Sequence, residues 1–279
     1  MVINNHLFYL EILYAVPFIP NPLSGFPFFI LIILSTIQPS STMQAMIFAA
    51  GLGTRFKPWT DKHPKALALV NGKSLLRRNI EYLHLYGITR VIVNVHHFAD
   101  QVIKEIKDNK GWGSEIIFSD ERRELLETGG GLKKAAPLFS ENNIVIINAD
   151  ILTDLNLNDM ANYHQRQQAL ATLAVTNRST SRYFLFDEND TLCGWRNTKS
   201  GEEKISLPSK NLIQKAFSGI HIINKELFPL LTREGNFSIV DVYLELAKSH
   251  IIKGFEHSGS KFIDVGKTES VALAEQLFK

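Results

Sequence analysis

The sequence predicts an α/β fold in which a mostly parallel central sheet is flanked by helices and carries a small inserted β-hairpin region. From Gln44 onward, short apolar runs alternate with segments whose apolar residues recur at helical spacing. This alternation is typical of a parallel sheet covered by helices on both faces. Between Arg178 and Pro208 the chain becomes polar and rich in turn residues. Two strand-like runs in that stretch flank Asp187-Glu188-Asn189-Asp190, which predicts a hairpin.

The individual elements follow from the local patterns. In the first helical segment, Leu76, Ile80 and Leu83 recur near helical spacing, and Gly87 stands where a C-cap glycine belongs. Strands are predicted at Ala45–Ala50, Arg90–Val95, Glu115–Phe118, Ile144–Ile147, Leu170–Thr176, Tyr183–Phe186, Leu192–Trp195, Ala216–Ile223 and Phe262–Val265. Helices are predicted at Lys73–Tyr86, Asp100–Lys107, Gly131–Leu138, Lys225–Leu231, Val240–Ser249 and Thr268–Phe278.

Composition excludes several classes of function. The chain has 279 residues, with 30 basic against 28 acidic side chains, and no basic run long enough for nucleic-acid binding. Cys193 is its single cysteine, which excludes an internal disulfide and a cysteine-rich metal site. Because the chain has no long basic run, any affinity for anions must depend on a few residues at one site.

The first 42 residues differ from the rest of the chain. Glu11 is their one formal charge, and the apolar run Phe28–Leu34 is too short to span a bilayer. We expect residues 1–42 to lie outside the fold, as a leader or a hydrophobic extension, with Met43 as the natural start. A membrane anchor is the alternative. Residues 43–279 are expected to form one domain without a membrane segment.

A glycine turn after the first strand has the features of a phosphate-binding loop. The run Ala45–Ala50 ends in Gly51-Leu52-Gly53, Arg55 follows, and Pro64-Lys65 closes the segment. Glycines let backbone N–H groups approach an anion, and clustered amides suit phosphate oxygens. An arginine can bind two phosphate oxygens at once, and a lysine adds a flexible charge. The segment therefore predicts a polyphosphate site.

This segment resembles the signature of the sugar-1-phosphate nucleotidyltransferases, G-x-G-x-R followed after a spacer by P-K. Within that family the chain looks most like the N-acetylmuramate-1-phosphate uridylyltransferases and next most like the mannose-1-phosphate guanylyltransferases. The resemblance runs from Met43 to the C-terminus. It implies a Rossmann-like nucleotidyltransferase fold for residues 43–279, a cytoplasmic enzyme, and a monomer or small homo-oligomer. NTP and sugar 1-phosphate are the implied substrates.

Two aspartates follow strand-like runs, where ligands collect in parallel sheets. Asp150 stands just past the apolar run Ile144–Ile147, and Asp264 lies in the string FIDVGKTES. Each aspartate alone is more often a turn or cap residue. The resemblance implies that both hold Mg²⁺, a cation that takes few protein ligands. The family's D-V-G-T reads Asp-Val-Gly-Lys here, which affects only the position after the glycine.

The resemblance also implies roles for other residues. Arg55 and Lys65 would be catalytic, with Arg55 holding the departing pyrophosphate and Lys65 the α-phosphate. The string L-E-T-G-G-G belongs to the nucleotide pocket of the uridylyltransferases, and F-S-G-I places its glycine against the sugar phosphate. Substrate and nucleotide contacts are thus expected at Ala50, Gly51, Gly53, Thr54, Thr128, Gly129, Asn148 and Gly219.

The expected reaction joins an NTP to a sugar 1-phosphate and releases pyrophosphate, with Mg²⁺ assisting in-line attack. L-E-T-G-G-G favours UTP and N-acetylmuramate 1-phosphate, which would place the enzyme in peptidoglycan recycling. A mannose- or heptose-1-phosphate guanylyltransferase, a phosphocholine-type cytidylyltransferase and a non-catalytic nucleotide-sugar sensor are the alternatives. The charged set Arg55, Lys65, Asp150 and Asp264 argues against the sensor, because binding alone does not need every charge.

Overall fold

The computed structural model describes residues 43–279. Our expectation for residues 1–42 lies outside the described residues. Between residues 43 and 279, no helix is long and apolar enough to cross a membrane.

Strands and helices alternate along the described chain. The strands are β1 (Met43–Phe48), β2 (Leu69–Val70), β3 (Lys73–Ser74), β4 (Arg90–Val95), β5 (Glu115–Asp120), β6 (Asn143–Asn148), β7 (Ile151–Thr153), β8 (Ala171–Thr176), β9 (Arg182–Phe186), β10 (Leu192–Asn197), β11 (Glu203–Ile205), β12 (Ile213–Asn224), β13 (Ile252–Glu256) and β14 (Phe262–Asp264). The α-helices are α1 (Leu75–Leu85), α2 (Ala99–Asp108), α3 (Glu127–Ala135), α4 (Leu157–Gln167), α5 (Ile239–Leu246) and α6 (Glu269–Leu277).

Strand β1 lies in the middle of a ten-stranded sheet, eight of whose strands have the order β11-β10-β9-β12-β6-β1-β4-β5, while β8 and β13 branch from β12. It pairs in parallel with β4 on one side and with β6 on the other, and β4 pairs in parallel with β5. The carboxyl ends of these strands therefore meet at one edge of the sheet. Ligands of such sheets bind beyond that edge.

The twelve-residue strand β12 joins this parallel centre to the rest of the sheet. Its C-terminal half is antiparallel to β6, with Ile220 opposite Ile147, and its N-terminal end is antiparallel to β9. Strand β8 is also antiparallel to β12, and the register of this pair shifts between Phe217 and His221 of β12. Strands β9 and β10 form the predicted hairpin, and β11 extends it.

Successive residues of β1 face two separate cores, as expected for a strand covered on both faces. Ala45 and Ile47 belong to a core that includes Leu76 of α1, while Met46 belongs to one that includes Leu132 of α3 and Tyr243 of α5. All these side chains are buried. The predicted α/β fold is confirmed. The two cores cover the two faces of the sheet and so fix the strands whose carboxyl ends carry the site.

A separate two-stranded sheet forms from β7 and β14, with Asp264 opposite Ile151. The backbone N–H of Val265 donates to the carbonyl of Asp150 at 2.8 Å. This pairing returns the end of the chain to the carboxyl end of β6. Asp150 and Asp264 are neighbours because of it.

Several elements differ from the sequence prediction. The segment Lys225–Leu230 is a 3₁₀ helix that contains Pro229, whose missing N–H disfavours an α-helix. Helix α3 begins at Glu127 and includes Gly129 and Gly130, which the prediction left outside it. Strands β2, β3, β7, β11 and β13 were not predicted, and β3 replaces the first two residues of the predicted helix Lys73–Tyr86. They are short, and two of them pair with segments remote in sequence.

Candidate active site

The loop after β1 is shaped by two glycines with different requirements. Gly53 has a φ of 60°, and a Cβ there would lie 2.9 Å from Thr60 Cγ2 and 3.0 Å from Lys65 Cβ. Its carbonyl accepts from the Thr60 hydroxyl at 3.0 Å and from the Phe56 N–H at 2.8 Å. A Cβ on Gly51 would meet nothing within 4 Å. Gly53 is thus fixed by packing, whereas Gly51 leaves open space at the mouth of the loop.

A buried asparagine holds the start of this loop. Asn94 Oδ1 accepts from the Ala49 N–H at 2.7 Å and from the Ala50 N–H at 3.3 Å. Asn94 Nδ2 donates to Glu121 Oε1 at 2.8 Å. Glu121 is fully buried, and burial raises the pKa of its carboxyl. Neither residue of this pair was predicted to belong to the site, although Asn94 is a polar residue within the apolar run RVIVNV, which is a signal for it.

The two predicted catalytic cations lie in different environments. Lys65 forms an ion pair with Asp150, and their side chains are only 13% and 23% exposed. Arg55 is exposed and forms no hydrogen bond or ion pair within residues 43–279. A Cβ on Gly266 would lie 3.2 Å from Arg55 Nη2, so the guanidinium reaches the turn after Asp264. The chain therefore keeps Arg55 available to a ligand and uses Lys65 to balance an acid.

The two aspartates interact electrostatically. Burial raises the pKa of Asp264, and the charge of Asp150 raises it further, against the opposite effects of Lys65, Arg55 and Arg178. Two carboxylates that repel each other in this way suit a divalent cation that takes few protein ligands. No group of three or more acidic, histidine or cysteine side chains that could hold a metal occurs in the described chain. The pair fits Mg²⁺ better than a metal that needs a full protein cage.

Arg55, Lys65 and Asp150 line one cavity of about 490 Å³. This volume is within the usual range of about 300–1,000 Å³ for ligand pockets. It is lined by nine of the predicted residues: Ala50, Gly51, Gly53, Thr54, Arg55, Lys65, Thr128, Asn148 and Asp150. Further lining residues that the sequence analysis did not assign to the site include Phe48, Asn94, Glu121, Leu125, Glu127, Ser238 and Gly266. Gly129, Gly219 and Asp264 are not among its lining residues.

The three consecutive glycines of α3 are explained by packing. A Cβ on Gly129 would lie 2.4 Å from the Phe237 ring, and one on Gly130 would lie 2.2 Å from the Gly235 carbonyl oxygen. The Gly129 N–H donates to the Phe237 carbonyl at 2.8 Å. A Cβ on Gly131 would lie 2.7 Å from Glu121 Oε1. The nucleotide contact expected for Gly129 stays a prediction, because its amide is already bonded within the protein.

Thr128 and Gly219 support the walls of the cavity. Thr128 Oγ1 accepts from the Ile239 N–H at 3.0 Å and so ties α3 to the start of α5. Gly219 has a φ of 71°, and a Cβ there would lie 2.6 Å from Asn148 Nδ2. Its backbone therefore lies directly behind the lining residue Asn148. A sugar phosphate contact by Gly219 remains a prediction.

Comparison with known proteins gives a consistent result. The family model described as "Nucleotidyl transferase" matches residues 44–278. The N-acetylmuramate alpha-1-phosphate uridylyltransferase of Caulobacter vibrioides is 44% identical over 108 residues, covering 38% of this chain and 45% of that protein. The enzyme of the same name from Neisseria meningitidis serogroup B is 27% identical over 242 residues, covering 84% and 98%.

A solved structure shares the fold. The crystal structure of HddC from Yersinia pseudotuberculosis, complexed with GMP-PN, superposes with a TM-score of 0.68 at 23% identity. The match covers 85% of this chain and 99% of the other. At this identity the likeness concerns the fold alone.

Proposed function

The chain belongs to the nucleotidyl transferase family, and on that premise we propose that it transfers a nucleoside monophosphate from an NTP to a sugar 1-phosphate. UTP and N-acetylmuramate 1-phosphate are the favoured substrates. The names of two relatives and the string Leu126–Gly131 support this choice. The chain matches less than half the length of the first of these relatives, so the identity of both substrates is part of the proposal.

One observation carries the proposal: Asp150, Asp264, Lys65 and Arg55 converge at the carboxyl edge of the sheet beside a ligand-sized cavity. The reaction must bring two polyanions together. Catalysis of such a transfer depends on positioning and on stabilising negative charge. A cluster of two cations with a pair of acids provides both.

In the proposed reaction, a phosphate oxygen of the sugar 1-phosphate attacks the α-phosphorus of the NTP. A new P–O bond forms while the bond from the α-phosphorus to the bridging oxygen breaks, and pyrophosphate leaves with the electron pair. The second pKa of a phosphate monoester is about 6, so the nucleophile is mostly ionised at neutral pH. The protein then needs no general base.

Each charged residue has a part in this scheme. Arg55, unpaired within the described chain, binds the departing pyrophosphate. Lys65 stabilises the α-phosphate and balances Asp150 before the substrate arrives. Asp150 and Asp264 would hold Mg²⁺, which would neutralise charge on the phosphate oxygens. We expect residues 43–279 to suffice for this activity and the enzyme to work in the cytoplasm.

The test is a substrate panel. Protein beginning at Met43 is mixed with four NTPs and several sugar 1-phosphates, and pyrophosphate release is followed with and without Mg²⁺. We expect release only with one NTP and one sugar phosphate together, and only with the metal. Release with GTP and mannose or heptose 1-phosphate would correct the substrates. No release from any pair would contradict the proposed function.

A further inference from the structure

Glu127 combines an unusual backbone conformation with an unpaired carboxylate. It is the first residue of α3 and has a φ of 55°, in the left-handed region that favours glycine. A residue with a side chain pays a conformational penalty there, and such strain is concentrated at functional sites. A function of the side chain would explain why a residue other than glycine stands at this position.

The side chain lines the same cavity as the phosphate loop. Glu127 is exposed, and its carboxylate forms no hydrogen bond or ion pair within residues 43–279. Its neighbours behave differently, because the Thr128 hydroxyl accepts from the Ile239 N–H and Glu121 accepts from Asn94. Glu127 is thus the acid of this wall whose acceptors remain free for a ligand.

The charge distribution of the cavity indicates which part of an NTP lies near Glu127. Arg55, Lys65 and the aspartate pair are supplied by the loop after β1 and by β6 and β14, whereas Glu127 stands on α3 beyond β5. A carboxylate repels phosphates, so the triphosphate belongs with the cations. The nucleoside is the uncharged part of the ligand, and it carries hydrogen-bond donors.

We propose that the Glu127 carboxylate accepts a hydrogen bond from the nucleoside of the bound NTP, and so selects the nucleotide. The inference rests on the proposed function, which makes an NTP the ligand. The donor is an N–H of the base or a hydroxyl of the ribose, and both offer the same chemistry to a carboxylate. Only a side chain at this position can supply the acceptor, although glycine would suit the backbone better.

A purely structural role for Glu127 makes a different prediction. An acid in the first turn of a helix is favoured by the helix dipole. Its removal would then lower the stability of the protein and weaken all nucleotides alike. A nucleoside contact instead predicts an unchanged or higher thermal midpoint in Glu127→Gly, because glycine relieves the left-handed strain.

The experiment uses the full chain with Glu127→Gly and Glu127→Gln, and with Glu124→Gln as the matched control. Glu124 is an exposed acid of the preceding loop that does not line the cavity. For each protein, kcat/KM is measured with the preferred NTP, its 2′-deoxy analogue, and an analogue methylated on the Watson–Crick N–H of the base.

We expect Glu127→Gly to lower kcat/KM for the natural NTP by about 10- to 100-fold, the effect of one hydrogen bond to a charged group. One analogue should already be poor in the wild type and lose nothing further, which identifies the ribose or the base as the donor. Glu127→Gln keeps one carbonyl acceptor and should fall between. Glu124→Gln should match the wild type.

An equal loss with all three nucleotides, or a lower thermal midpoint with unchanged selectivity, would overturn the inference. Absence of turnover with every substrate pair would instead contradict the proposed function. In that case, calorimetric binding of the same NTP and analogues to the wild type and Glu127→Gly still tests the contact.

Discussion

Lys65 and Asp150 form an ion pair although they are 85 positions apart in the chain. Lys65 follows the phosphate loop, and Asp150 lies two residues after the end of β6, at the same edge of the sheet. Because Asp264 also lies there, Lys65 balances a pair of acids in the absence of substrate.

Replacing Lys65 by methionine keeps the side-chain stem and removes the charge. We expect turnover to fall by about 10²–10³-fold, as for the loss of one preorganised electrostatic group, and the free energy of unfolding to fall by up to about 3–5 kcal/mol, because the mostly buried carboxylate of Asp150 loses its balancing charge. Steady-state pyrophosphate release and urea denaturation give the two values. Lys62→Met, on the exposed side of the same segment, is the control. Wild-type turnover in Lys65→Met would remove its catalytic role.

Arg55→Gln should separate activity from stability more completely, because Arg55 is exposed and forms no hydrogen bond or ion pair in the described chain. The free energy of unfolding should stay within about 0.5 kcal/mol of the wild type, while turnover falls by about 10²–10³-fold. The control is Lys57→Gln, which removes an exposed ion pair with Asp61. An equal loss of activity in both variants would show that Arg55 acts only through general charge.

Asp264→Asn should stabilise the metal-free protein. Partial desolvation and the charge of Asp150 raise the pKa of Asp264, so its ionised form is less favourable in the fold than in the unfolded chain. A neutral amide removes that repulsion, and it also removes a metal ligand. We expect a higher thermal midpoint without metal and no further rise when Mg²⁺ is added, whereas the wild type should rise. A lower midpoint without metal, or an undiminished response to Mg²⁺, contradicts the assignment.

Two glycine-to-alanine changes should affect different properties, substrate binding in one case and stability in the other. A Cβ on Gly51 meets nothing within 4 Å, whereas one on Gly130 would lie 2.2 Å from the Gly235 carbonyl oxygen. Gly51→Ala should therefore leave stability unchanged and raise the KM for the NTP, because the methyl group occupies the space of a phosphate. Gly130→Ala should destabilise the fold by about 1–3 kcal/mol, as overpacking does. Thermal melts and nucleotide titrations of both variants distinguish the two cases.

His164 should make stability depend on pH. Burial lowers its pKa from 6.5 to about 4, and its Nδ1 lies 2.8 Å from the Thr172 hydroxyl. The unfolded chain binds a proton at higher pH than the fold does, so stability is lost as pH falls from 6.5 towards 4. One such group contributes about 3 kcal/mol over that range.

In His164→Gln the fall in unfolding free energy between pH 7.5 and pH 5 should be smaller than in the wild type. His221 and His257 also have lowered pKa values and keep part of the dependence. Urea denaturation at the two pH values measures the difference. Identical falls in the two proteins would contradict a neutral buried His164.

The sequence was sufficient where local pattern and chain direction determine structure. The apolar runs of β1, β4 and β6 predicted parallel strands, and their carboxyl ends predicted the site edge. The family resemblance, confirmed by the matching family model, singled out Asp150 and Asp264 as the expected metal ligands. Their proximity depends on β14 pairing with β7, which no local pattern indicates because both strands have only three residues.

Other site residues were missed because their roles depend on contacts made after folding. Glu121 follows β5 like any polar loop residue, and only its full burial against Asn94 reveals its part in holding the loop. The resemblance placed the glycines of α3 in the nucleotide pocket, but it did not predict what they pack against. The segment Gly235–Phe237, which contacts Gly129 and Gly130, lies about a hundred residues later in the chain, and its approach is not encoded in the L-E-T-G-G-G string.

The continuity of β12 limits how the protein can open. One uninterrupted strand is hydrogen-bonded to β6 beside the phosphate loop and to β9 of the hairpin. No flexible linker separates the two regions, so a hinge between them would require breaking backbone hydrogen bonds of the sheet. We therefore expect the hairpin and the phosphate-loop side to move together when substrates bind, and loops outside the sheet to supply the motion that admits them.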